Sequence, residues 1–138
     1  MTHTALRSRT ARAVDTSDRG SASLQLAALL PVLFTVMFLG LQAALVSHAR
    51  SVAIAAAEQG ARAASILRAT GDEGTAAAAQ FVADAGGSDA LERAGVTTRV
   101  TATTVSVTVT GHALSVVPGW RPRIEHSVTL PRERLTTR

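Results

Sequence analysis

The feature that most constrains this chain is a stretch without charge. No Asp, Glu, Lys or Arg occurs between Gly20 and Ala49, and inside that stretch Leu24–Val46 reads LQLAALLPVLFTVMFLGLQAALV. Only Gln25, Thr35 and Gln42 interrupt it with polar side chains. A helix crossing ~30 Å of hydrocarbon needs about 20 largely apolar residues, so this run is long enough to span. The soluble alternative is a buried core helix. The rest of a 138-residue chain is too small to wrap an apolar cylinder of that length, and membrane insertion is the expectation.

Composition narrows the function classes. The chain is 46% hydrophobic but only 17% charged and 3% aromatic, so its apolar excess is concentrated in that run. Without cysteine there is no disulfide scaffold, thiolate zinc site or Cys nucleophile. All 14 basic residues are Arg, which points to GC-biased coding and discounts the Ala, Arg and Gly counts as evidence of selection. The net charge of +4 is spread thinly, and the aromatics are only Phe34, Phe38, Phe81 and Trp120. A nucleic-acid surface wants a basic face with stacking aromatics, and no nucleic-acid partner is expected. His3, His48, His112 and His126 show no metal-ligand spacing on a helix, and serines and carboxylates form no nucleophile elbow or phosphate loop. No catalytic residue, metal, cofactor or small-molecule substrate is assigned.

Four segments follow along the chain. Residues 1–20 form a basic leader with Arg7, Arg9, Arg12 and Arg19 against Asp15 and Asp18, which favours a cytoplasmic N-terminus and an external C-terminal portion. Residues 21–49 form the transmembrane helix, with Pro31 expected to kink it. Residues 50–70 continue the helix outside the membrane to about Ala69, roughly 70 Å from its start near Ser23 at 1.5 Å per residue. Ala56, Gly60 and Ala64 recur at four-residue spacing there, the kind of small-residue stripe that lets helices approach closely; Ala-rich composition produces such stripes by chance as well. Residues 71–138 form a small α+β head. In it, Thr70–Gly74 reads as a turn, Thr75–Ala85 as a short second helix, and Ser88 as the cap of a further turn through Arg93. Val96–Ala102, the alternating Val105, Val107 and Val109, and Ile124–Leu130 read as three short antiparallel strands. So small a head is a marginal core by itself, and docking on the long helix is expected to stabilise it.

Gly20, directly before the spanning helix, suits a peptidase that holds an extended backbone at the cytoplasmic face. With Gly20, the chain carries Pro31 eleven positions later, Gln42, Arg50, the segment Glu58-Gln59-Gly60-Ala61-Arg62-Ala63, the late Pro118 and the closing Glu133. In these residues it resembles the TadE-like pseudopilins of tight-adherence (Flp-type) pilus systems. The resemblance implies a pilin-like α+β fold, cleavage between Gly20 and Ser21 by a prepilin peptidase, and assembly with other pseudopilins and the pilus machinery. It also implies residence in the cytoplasmic membrane as a single-pass protein, or in a surface filament. One position departs from the family: the fifth residue after the cut is usually Glu, whose carboxylate is thought to neutralise a neighbouring subunit's new amino terminus, and here it is Gln25. A neutral amide is a weaker partner for an ammonium in lipid. The expectation is therefore a minor pseudopilin at the tip or base of an envelope filament. The alternative is a single-pass anchored envelope protein that binds a wall or secretion partner without filament assembly.

Overall fold

A computed structural model describes the backbone of residues 17–66 and 68–132 and the side chains from Leu24 onward within those ranges. The leader before Ser17, His3 and Glu133 lie outside the described residues. The elements follow in order: α1 (Ser17–Ser65), α2 (Gly71–Asp84), a one-turn 3₁₀ helix (Gly87–Asp89), then strands β1 (Glu92–Val100), β2 (Thr104–His112) and β3 (Arg123–Pro131). The expected α+β class, with a long apolar helix, a short second helix and a three-stranded antiparallel sheet, is what the chain adopts.

The chain divides into two units, Met1–Val36 and Met37–Arg138, and α1 is one helix across that division. In the first unit the described side chains from Leu24 to Val36 are all exposed, among them Leu26, Leu29, Leu33 and Val36. Pro31 lacks the N–H that would bond the carbonyl of Ala27, and the Thr35 hydroxyl donates to the Pro31 carbonyl at 2.7 Å. The helix is assigned without interruption through this point.

In the second unit the sheet order is β1-β2-β3, antiparallel throughout. The period-two pattern of β2 sends Val105, Val107 and Val109 inward, all fully buried, and leaves Ser106, Thr108 and Thr110 on the other face. That inner face does not close on itself. It packs with Ala49, Val52, Ala53, Ala56, Ala57, Ala61 and Ala64 of α1 and with Ala78 and Val82 of α2 in one core. The sheet needs α1 as its cover, as the small size of the head predicts.

Three local expectations are corrected. Thr70–Gly74 begins a helix instead of only ending one: Thr70 is the N-cap of α2, its hydroxyl accepts from the Glu73 N–H, and the Glu73 carboxylate accepts from the Thr70 N–H. This reciprocal pair satisfies two otherwise orphaned donors, so the helix starts four residues before Thr75. The first helix ends at Ser65, short of Ala69. The turn read from Ser88 through Arg93 is only the 3₁₀ turn Gly87–Asp89, and β1 already begins at Glu92.

That early start costs the strand its regularity. Between Glu92, opposite His112, and Gly95, opposite Thr110, two residues of β1 face one of β2, which is a bulge. Arg93 takes φ 51 there. The bulge leaves Leu91 over Gly111, where any added Cβ would lie 2.5 Å from the Leu91 Cγ. The tight β1–β2 connection has no glycine. Thr101 replaces it, its hydroxyl accepting from the Thr104 N–H at 2.9 Å while its N–H donates to the Thr104 carbonyl at 2.8 Å.

Candidate functional site: the packing surfaces of the long helix

The residues singled out from sequence lie along α1. Gly20 and Ser21 fall in its first turns. Gln25 and Pro31 are exposed in the first unit. Ala56, Gly60 and Ala64 are fully buried or in the core of the second unit, and what they meet is this chain's own α2 and sheet. The approach is close at one pair of glycines. A Cβ on Gly60 would stand 2.7 Å from the Gly74 carbonyl oxygen, 2.9 Å from the Ala78 Cβ and 3.2 Å from a Val107 methyl. A Cβ on Gly74 would stand 2.6 Å from the Ala64 Cβ and 2.8 Å from the Gly60 carbonyl oxygen. No side chain fits between the two helix backbones. The stripe spacing therefore marks where α1 receives α2.

In the sequence Gln42 is a polar interruption of the apolar run and one residue of the family pattern; among the described residues of the helix it is the buried polar one. It is 2% exposed within an otherwise apolar segment. Its amide Nε2 donates to the Leu114 carbonyl at 3.2 Å, and its Oε1 accepts from the Val116 N–H at 2.9 Å and from the Ser115 hydroxyl at 3.1 Å. The reverse amide orientation would set NH₂ against the Val116 N–H, so the partners fix which way it sits. A buried amide costs free energy unless bonded, and Gln42 is bonded on both sides. It ties the β2–β3 loop to the helix.

The loop is shaped to accept this tie. Val117-Pro118-Gly119-Trp120 closes a turn through the Trp120 N–H to the Val117 carbonyl at 3.2 Å, with Gly119 at φ 79, the backbone that Pro and Gly favour at the centre of a type II turn. The Ser115 hydroxyl accepts from the Val117 N–H at 3.1 Å, and Ala113 N–H to the Pro122 carbonyl closes the loop's base at 2.9 Å. Trp120 is half exposed and lines, with Leu39, Gln42, Ala43, Val46, Ser47 and Arg50, an open and mostly apolar groove of about 380 Å³. The only sequence signal for Gln42 was a lone amide on an apolar run; its partners lie more than 70 positions away.

Among the described residues the histidines are not brought together. His112 is opposite Arg123 and His126 is opposite Val109 in the sheet register, so the two imidazoles do not face each other. Among the described residues no group of three or more His, Asp or Glu side chains is placed to hold a metal ion. One helix among them is long and apolar enough to cross a membrane.

No curated protein and no solved structure matches the chain. The helix that carries the glycine at its start, the Gln42 tie and the Gly60 crossing is a different matter: residues 20–62 match the family model described as TadE-like protein.

Proposed function

We propose that this chain is a minor pseudopilin of a tight-adherence pilus system, anchored in the cytoplasmic membrane by α1 and assembling by helix packing at the tip or base of an envelope filament. The observation that carries the reading is the coincidence of the TadE-like match with an apolar helix whose described side chains up to Leu41 are exposed. The TadE-like family implies involvement in pilus assembly, and enzymatic activity is not part of what it implies. An exposed run of Leu, Val, Phe and Met is costly in water at about 25 cal/mol per Å², and lipid or neighbouring helices relieve that cost.

On this reading the head stands outside the membrane and the leader inside. The span on this reading is the 21–49 segment, and Gln42 and Ala49, buried against the head, mark the face on which its outer part leaves the lipid. The small-residue stripe is occupied within the chain, so neighbouring subunits are left the exposed first part of α1, which includes Gln25 and Pro31. Gln25 offers such a neighbour neutral hydrogen bonds, which favours a minor role over a repeated one. Processing by a prepilin peptidase between Gly20 and Ser21 requires the first turn of α1 to open; Gly20 makes that turn easy to unwind, since glycine costs a helix about 1 kcal/mol relative to alanine.

Intact mass of the membrane-extracted protein tests the processing. A mass corresponding to a chain starting at Ser21 is expected in cells with an active prepilin peptidase, and replacement of Gly20 by a bulky residue should leave the full-length mass and abolish assembly. A full-length mass in the unsubstituted protein, with assembly indifferent to Gly20, favours the alternative of a permanent single-pass anchor that binds a wall or secretion partner.

A further inference from the structure

We propose that the β2–β3 loop is a membrane-surface anchor: Trp120 rests at the boundary between lipid headgroups and acyl chains, beside the point where α1 leaves the bilayer, with Arg50 and Arg121 in reach of anionic headgroups. The inference rests on the reading of α1 as a membrane span. Within the second unit the helix begins with Met37, Phe38, Leu39 and Leu41, all large, apolar and exposed. Gln42, one residue on, is buried and holds Leu114, Ser115 and Val116. The loop is thus fastened at the level where the apolar run gives way to the head.

Trp120 lines the same groove as Leu39, which places its ring alongside the last lipid-exposed turn. Val116 and Val117, about one-third exposed, and Trp120 together make the loop's apolar surface. A tryptophan half exposed on a turn is poorly placed in water and well placed at a bilayer interface, where an apolar ring and an indole N–H are both accommodated. Arg50 in the groove and Arg121 beside the indole have no ion pair among the described residues. Glu92 lines a smaller groove with Arg121 and Trp120, and Glu125, the next acidic residue along β3, is paired with Arg123. Basic side chains at a membrane surface are attracted by anionic lipid. A protein partner would find the same apolar residues, but Leu39 and Trp120 share one groove at the end of a spanning segment, and lipid is what surrounds that segment on this reading.

Trp120 is the only tryptophan and the chain has no tyrosine, so intrinsic fluorescence reports this residue. The full chain, reconstituted in phosphatidylcholine–phosphatidylglycerol vesicles, is titrated with lipids carrying quenchers at shallow or deep acyl positions, and with aqueous acrylamide. Stronger quenching by the shallow label than by the deep one, with protection from acrylamide, is expected. In protein that resists alkaline carbonate extraction, quenching by acrylamide and not by lipid labels overturns the proposal. So does protection from both quenchers that is lost as the protein-to-lipid ratio falls, which assigns the groove to a second copy. Extraction by carbonate is a separate failure, that of the span itself. In Gln42→Leu, checked for retained secondary structure by circular dichroism, Trp120 should shift toward acrylamide access. An unchanged depth overturns the part of the proposal that makes Gln42 the loop's positioning residue.

Discussion

At the residue scale, two kinds of position are constrained for opposite reasons. Gln42 is needed for what it bonds. Removing its amide leaves a Val116 N–H and a Leu114 carbonyl partly buried without partners, and such losses cost about 1–3 kcal/mol. Gln42→Leu should therefore lower the thermal midpoint of the full chain in detergent and expose the 113–122 loop to protease before the rest of the head. Gly60 is needed for what it lacks. Gly60→Ala places a methyl against a backbone carbonyl and a second methyl that cannot move aside, an overpacking cost of about 1–3 kcal/mol. Gly40→Ala is the matched control, because nothing lies within 4 Å of a Cβ there. Its midpoint in detergent should not fall, and a loss equal to that of Gly60→Ala would show that helix geometry, not the crossing with α2, is responsible.

At the element scale, caps and strand ends decide where the short pieces begin. Thr70→Ala removes the capping hydroxyl and should destabilise α2 by about 1 kcal/mol, seen as faster amide exchange in its first turn with the sheet unaffected. Thr70-Gly71-Asp72-Glu73 has the spacing of a capping box, but with Gly71, Gly74 and two acidic residues the segment reads as a turn, and one short-range signal masks another. Leu91 is the corresponding anchor for β1. It is 1% exposed and seated on Gly111, so Leu91→Ala should cost about 2–5 kcal/mol, measured by denaturant unfolding of the full chain. Its partner could not be read from the sequence, since the bulge at Arg93–Ala94 sets the register and follows from no local pattern. The strands themselves were legible from alternation, above all Val105, Val107 and Val109.

At the scale of the whole molecule, the sheet and the long helix share one core, which gives a prediction about fragments. Residues 71–138 alone lack Ala49–Ala64 of α1 and should show no cooperative unfolding by circular dichroism. A fragment starting at Leu41 keeps the Gln42 tie and the Gly60 crossing and should unfold cooperatively. A cooperatively folding 71–138 fragment would show that α1 is dispensable to the head. The apolar run, the break from helical to alternating period near Val96 and the order of elements were determined by the sequence alone, because hydropathy and periodicity are properties of neighbouring residues. The tertiary structure decided the rest: that the Ala56–Gly60–Ala64 stripe receives this chain's own α2, and that Gln42 fastens a loop more than 70 residues away. Both depend on which surfaces meet once the chain closes on itself. A stripe of small residues or a lone amide carries the capacity for close packing or hydrogen bonding, and only the arrangement of α2 and the β2–β3 loop supplies the partner.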